Sequence, residues 1–101
     1  MVDITITQQG ERQIVKFSGE LTTEACQEAV QALAPLQDQD SFDVELDFTD
    51  LTYISSSGLR LLLTIYKHQQ TIGRRSIVSH LSDHISEVLF MGGFMSLFEK
   101  E

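Results

Sequence analysis

The sequence predicts a single α/β domain in which helices pack on a mixed, mostly parallel β-sheet of about five strands. Of its 101 residues, 42% are hydrophobic, which is sufficient for one compact core. Short segments alternate apolar and polar residues as strands do, and longer segments repeat apolar residues at helical spacing. The segments follow the order β-β-α-β-α-β-α-β. A helix between successive later strands favours parallel pairing.

The strands are predicted from the alternation of apolar and polar residues. Ile4–Thr7 and Ile14–Phe17 are predicted to form a hairpin, and we expect Gly19 to end its second strand. Phe42–Phe48 alternates strictly, with acidic residues on the second face. Ile77–Val78 is a short strand. The last strand is expected to pass through Phe94, Leu97 and Phe98.

Three helices are predicted between these strands. The first is capped by Thr22 or its neighbour and limited by Pro35, and its apolar face comprises Cys26, Ala29, Val30 and Leu33. The second begins within residues 55–57, ends near Gly73 and buries Leu59, Leu62, Leu63 and Tyr66, with Leu61 and Ile65 on a second flank. The third is capped by Ser82 and carries Ile85, Val88 and Leu89.

The charge balance narrows the choice of partner. Seven basic and fifteen acidic residues give a net charge of −8, with no Lys/Arg cluster to displace counterions from nucleic acid. A basic or neutral protein partner is favoured. No apolar run approaches the roughly 18 residues of a membrane span, and the N-terminus lacks the features of a signal peptide. With the single Cys26, these features lead us to expect a cytoplasmic protein.

The most informative segment is the serine run Ser55, Ser56 and Ser57, followed by Gly58 and a leucine-rich helix. At a helix N-terminus the backbone N–H groups are unpaired and the dipole is positive, so a phosphate would be stabilised there. One hydroxyl is sufficient for a cap. The pattern alone favours capping, and the two remaining hydroxyls suggest a regulatory site as the alternative.

Four segments in order resemble a STAS domain, and the resemblance covers nearly the whole chain, residues 1–101. They are Gly19–Leu21, Asp47–Ile54, Ser56–Leu59 and Leu89–Phe94. This family includes the bacterial anti-sigma factor antagonists. The resemblance implies a non-enzymatic interaction module that binds an anti-sigma factor when unphosphorylated, thereby freeing a sigma factor, and releases it when phosphorylated.

The resemblance also implies which residues act. The regulatory serine of the antagonists lies two positions before the motif glycine, which is Ser56 here, and its kinase would be the anti-sigma factor itself. We expect the partner to contact Thr22, Ser55, Ser56, Ser57, Gly58 and Arg60. Two aspartates usual in the antagonists are replaced by Ser55 and Thr22. These replacements leave open a different partner, phosphorylation at Ser55 or Ser57, or binding without phosphorylation.

Other functions are weighed against this one. The main alternative is a STAS subunit that supports the ATPase of a bacterial lipid transporter without a phosphorylation cycle. A nucleotide-binding domain is disfavoured because no Walker or dinucleotide motif is present, and a hydrolase because Ile54 replaces the first glycine of a nucleophile elbow. His80 and His84 do not share a helix face, so neither metal nor cofactor is expected.

The chain ends just after the predicted last strand. We therefore expect the C-terminal helix common in the family to be short or missing. Its absence would leave a hydrophobic edge to be covered by a partner or by a second copy, which would form a homodimer.

Overall fold

The computed structural model describes residues 1–101 as one five-stranded sheet with three α-helices, which confirms the predicted α/β class and element order. The elements are β1 (Val2–Gln9), β2 (Arg12–Leu21), α1 (Ala25–Leu33), β3 (Asp43–Ile54), α2 (Ser56–Thr71), β4 (Ser76–Ser79), α3 (Asp83–Met91) and β5 (Glu99–Lys100). A 3₁₀ turn, Ala34–Gln37, follows α1 and contains Pro35. None of the helices is both long and apolar enough to cross a membrane.

The strands lie in the order β1-β2-β3-β4-β5. β1 and β2 pair antiparallel as the predicted hairpin, and every other neighbouring pair is parallel. Each crossover connection leads to the neighbouring parallel strand on the same side of the sheet. Such connections are right-handed, so the three helices pack on one face of the sheet. Buried side chains of all three helices accordingly join one core with the central strands, among them Ala29, Leu62 and Ile85. The rings of Phe17 and Phe48, 5.3 Å apart, lie within it.

The expectation that Gly19 ends β2 is wrong. The strand continues to Leu21, and Gly19 lies inside it with φ +101°. A Cβ atom at this position would lie 2.5 Å from the carbonyl oxygen of Met1. The pairing of β2 with β3 shifts register on both sides of this stretch. The glycine therefore permits an irregularity within the strand, where another backbone approaches closely.

The predicted last strand is also misplaced. The residues expected to form it lie in turns, and β5 is the following pair, Glu99–Lys100. Phe98 is only 6% exposed and its ring lies 5.7 Å from that of Tyr66 on α2. The apolar residues before β5 are thus used to cover the helix layer rather than to pair in the sheet.

The buried line of α2 differs from the predicted one. It comprises Gly58, Leu62, Ile65 and Gln69, while Leu59, Leu63 and Tyr66 are half-buried. Gln69 is buried because its side-chain amide donates to the carbonyls of Phe42 (2.8 Å) and Arg75 (3.1 Å), and its oxygen accepts from Gln39 (2.8 Å). In α1, Cys26 and Leu33 are buried as predicted, whereas Val30 is 52% exposed.

Candidate functional site

Ser55 caps helix α2. Its backbone is extended (φ −84°, ψ 170°), and its Oγ accepts a hydrogen bond from the Gly58 amide at 3.1 Å. Its own amide donates to the carbonyl of Leu21 at 2.9 Å, which fixes the cap to the end of β2. The residue is only 7% exposed. Ser55 therefore has a full structural role, and its hydroxyl is not available at the surface.

Ser56 lies next to the cap in a different environment. It is the first residue of α2 and is exposed, and its hydroxyl makes no hydrogen bond within the chain. The amides of Ser56 and half-buried Ser57 also lack a backbone acceptor, as expected for the first turn of a helix. A free hydroxyl thus lies beside free N–H donors at the positive end of the helix dipole.

Gly58 faces the interior rather than the surface. A Cβ atom there would lie 2.8 Å from Cγ1 of Ile54 and 2.9 Å from Cδ2 of Leu21. The lack of a side chain lets α2 approach the ends of β2 and β3 closely. Gly58 therefore supports the site from beneath, and its predicted contact with a partner would have to be indirect.

The other predicted contact residues surround this helix start. Leu21 pairs with Ile54, so the ends of β2 and β3 bring Thr22 close to the serine run. Thr22 is half-buried, and its Oγ1 accepts from the Ala25 amide at 3.1 Å across the turn that leads into α1. Arg60 is exposed and lies one helical turn beyond Ser56, a spacing at which side chains can meet.

The sequence interpretation did not include Tyr53 among the contact residues. This side chain lies near the end of β3, two residues before the cap, and is 43% exposed. Exposed aromatic residues beside a binding surface are common anchors in protein interfaces. Its position after the strict alternation of β3 gave a weak signal, because the strand runs on to Ile54 with an irregular burial pattern.

The first turn of α2 differs from the other helices in charge. It contains no acidic residue, whereas Glu28 lies in the first turn of α1 and Asp83 in that of α3. Acidic residues are stabilising at helix N-termini, and the chain carries fifteen of them. Among the three α-helices, only α2 therefore has no acidic residue at the positive end of its dipole.

The acidic face of β3 is held by internal pairs. Glu45, 8% exposed, accepts from Ser79 Oγ at 2.6 Å and from the Arg12 guanidinium at 2.9 Å. The hydrogen bonds that Arg12 donates to Glu101 and Glu45 raise the pKa of its guanidinium, so it stays charged. Asp47 is hydrogen-bonded by Thr49. No group of three His, Cys, Asp or Glu side chains is placed to hold a metal ion.

The fold and the serine-capped helix start define a class of protein. Residues 4–99 match the family model described as "Mlab, STAS domain". The chain belongs to the STAS domain family.

The relatives within this class include antagonists of anti-sigma factors. BtrV of Bordetella bronchiseptica, a candidate anti-sigma factor antagonist, is 36% identical over 66 residues, which are 65% of this chain and 57% of BtrV. The match thus spans little more than half of BtrV.

Solved structures of antagonists share the fold. SpoIIAA in its unphosphorylated form superimposes with a TM-score of 0.82 at 17% identity, covering 98% of this chain and 88% of SpoIIAA. An antagonist from Mycobacterium paratuberculosis gives 0.88 at 15% identity, covering 99% and 85%.

Proposed function

We propose that the chain is a non-enzymatic anti-sigma factor antagonist whose binding to an anti-sigma factor is controlled by phosphorylation of Ser56. One observation carries the proposal: the buried Ser55 caps α2, which leaves the adjacent hydroxyl of Ser56 exposed and without a structural bond. The similarity to BtrV supports the same function. The partner would be an anti-sigma factor with serine kinase activity.

A phosphate on Ser56 would be accommodated without refolding. It adds roughly −1.5 to −2 charges and strong acceptor oxygens. The free amides of the first turn and the Arg60 guanidinium, one turn on, can meet this charge, and no acidic side chain in that turn opposes it. Release would then arise at the interface, where a partner shaped around a hydroxyl meets a partly desolvated dianion.

Labelling with the cognate kinase and ATP tests the phosphorylation site. We expect one phosphate on Ser56, located by mass spectrometry of the peptide that contains the three serines. Ser55→Ala is the matched control, because it removes a neighbouring hydroxyl and should still accept label while folded. A phosphate on Ser57, or on Ser55, would contradict the assignment.

Partner binding tests the control step. We expect Ser56→Asp to weaken binding of the anti-sigma factor at least tenfold relative to Ser56→Ala, because an acid is tolerated by the helix but costly in the interface. Isothermal titration calorimetry measures both affinities. Equal affinities of the two variants would show that negative charge at Ser56 does not regulate binding.

A STAS subunit that braces a transporter ATPase is the second candidate. The positions that carry aspartates in the antagonists make local hydrogen bonds here: Ser55 bonds the Gly58 amide, and Thr22 bonds the Ala25 amide. The absence of these two acids favours a surface that binds without a phosphorylation cycle. Binding to a purified transporter ATPase, unchanged between Ser56→Ala and Ser56→Asp, would distinguish this candidate from the first.

We further propose that residues 1–101 act as one STAS domain in the cytoplasm. The family match over residues 4–99 supports the single domain. Cell fractionation with an antibody to the chain tests the location.

A further inference from the structure

The edge strand β1 is unusually open to pairing. Its register with β2 runs from Val2↔Gly19 to Gln9↔Arg12 without a shift. Natural edge strands are usually protected by lysine, proline or a bulge. The eight residues of β1 contain no lysine, no proline and a single charge, on Asp3.

The direction of its free backbone groups follows from one hydrogen bond. The Glu20 amide donates to the carbonyl of Met1 at 3.1 Å. Because bonded and non-bonded residues alternate along an antiparallel pair, the odd-numbered residues of β1 bond β2. The even-numbered ones direct their N–H and C=O groups outward; they are Val2, Ile4, Ile6 and Gln8.

An apolar groove runs beside this edge, on the helix side of the sheet. Val2, Ile4, Ala29 and Ala32 line about 120 Å³ of it together with Glu28. The same glutamate also lines an adjoining space of about 200 Å³, with Met1, Thr22, Glu24 and Ala25. The side chains of Val2 and Ile4 thus form the floor, and α1 forms the wall.

The charge of the groove indicates what would occupy it. Its lining contains two acids, Glu24 and Glu28, both exposed, and no basic residue. A second copy would bring the same acids, and a further net charge of −8, to the same place. A basic segment is therefore the complementary occupant.

We propose that the β1 edge and the adjoining α1 groove bind an extended, basic segment of a partner protein, which adds to the sheet as a sixth strand. Backbone hydrogen bonds to the even-numbered residues of β1 supply the affinity. Small apolar side chains of the segment fill the groove, and its lysine or arginine side chains meet Glu24 and Glu28. This site adjoins the proposed regulatory surface at Thr22, but the backbone groups and acids that would hold the segment lie on β1 and beside α1, so its binding does not require phosphorylation of Ser56.

Amide hydrogen exchange followed by NMR tests the site directly. The probe is a synthetic peptide of nine residues. In its extended form, valine and lysine alternate along one face, and every residue of the other face is threonine. We expect the amides of Val2, Ile4, Ile6 and Gln8 to exchange rapidly in the free protein and to become protected with the peptide. Those of Thr5 and Thr7 should be protected in both states.

A charge reversal provides the matched comparison. Glu28→Lys should weaken binding of the peptide about fivefold, on the scale of exposed charge pairs. Glu87→Lys makes the same change at an exposed position of α3, away from the groove, and should leave binding unchanged. A peptide with glutamate in place of lysine should bind more weakly than the lysine peptide.

Three results would overturn the proposal. The first is no new protection at the even-numbered amides with saturating peptide. The second is equal weakening by Glu28→Lys and Glu87→Lys. The third is protection that appears without peptide as protein concentration rises, together with dimer formation in sedimentation velocity, which would make a second copy the occupant.

Discussion

The N-termini of α2 and α3 use the same cap in opposite settings. Ser55 and Ser82 each accept a hydrogen bond at 3.1 Å from the amide three residues on. Ser82 is exposed and is followed by Asp83, an acid that complements the helix dipole. Ser55 is buried and is followed by the neutral Ser56. The start of α3 thus has an acid that complements the helix dipole, whereas the start of α2 lacks the negative charge that a phosphate would supply.

The third residue after each cap also differs. In α3 it is Ile85, whose side chain is fully buried, and in α2 it is Gly58, against which Leu21 and Ile54 pack. At this position α3 therefore packs through a buried side chain, while α2 approaches the ends of β2 and β3 with no side chain between them. The comparison teaches that α2 is fixed from beneath, so that its exposed first residue can change in charge without moving the helix.

The largest expected effect comes from adding a side chain at Gly58, where α2 packs against the strand ends. Gly58→Val should lower the free energy of unfolding by about 3 kcal/mol, because its side chain overpacks a buried contact. Urea denaturation measures the change. Arg60→Val, at an exposed position of the same helix, is the control and should cost about 0.5 kcal/mol. A stable Gly58→Val protein that fails to bind its partner would instead place Gly58 in the interface.

Removal of each cap sharpens the comparison. Ser55→Ala should destabilise the fold by about 2 kcal/mol, since it loses the cap and leaves the buried Gly58 amide without an acceptor. Ser82→Ala should cost about 1 kcal/mol, because Ser82 is exposed and water can take the place of its hydroxyl. Chemical denaturation of each variant measures these changes in the free energy of unfolding. If the two losses are equal, burial of Ser55 adds nothing to the strength of its cap.

The missing charge can be supplied by mutation. Ser56→Asp should stabilise the chain by about 0.5 kcal/mol, and Asp83→Asn should destabilise it by a similar amount. In the Ser56→Asp background, Arg60→Ala should remove about 0.3 kcal/mol more than it does alone. Differential scanning calorimetry of the four variants gives these differences. A destabilising Ser56→Asp would mean that the site disfavours negative charge.

The sequence was sufficient to predict the features that depend on neighbours along the chain. Alternation located the cores of β1 and β3, and serines before apolar helical repeats located the starts of α2 and α3. The exposed position of Ser56 could not be derived in this way. Three successive serines offer the same hydroxyl acceptor for a cap, and the bond between the Ser55 amide and the Leu21 carbonyl selects which one is buried.

The features that were missed depend on distant residues. Gln69 has the polarity of a surface residue, but it is buried because carbonyls of Phe42 and Arg75 converge on its amide. Glycine is typical of strand ends, yet Gly19 lies within β2, where the backbone of Met1 approaches it closely. The exposure of Tyr53 follows from the irregular end of β3. None of these contacts is encoded in local spacing.

The smallest expected effect concerns the charges beside α3. Asp47 is the last residue of β3 to pair with β4, next to His80, which leads into α3. Burial raises the pKa of Asp47, but this effect is outweighed by hydrogen bonds from the Thr49 hydroxyl (2.6 Å) and amide (2.9 Å) and by the charges of His80 and Lys16, so that the pKa lies below its ordinary value of 3.8.

A group with a depressed pKa stabilises the folded state above its unfolded pKa and loses that contribution as the pH falls through the folded value. We therefore expect Asp47→Asn to flatten the decline in unfolding free energy between about pH 4 and pH 2. Urea denaturation across this range measures the slope, with the exposed loop variant Asp38→Asn as the baseline for losing one carboxylate. Equal slopes in the two variants would show that Thr49 and His80 do not make Asp47 more acidic. Because the α2 start has no acid of its own, the difference in stability between Ser55→Ala and the unmodified chain should stay constant over the same range.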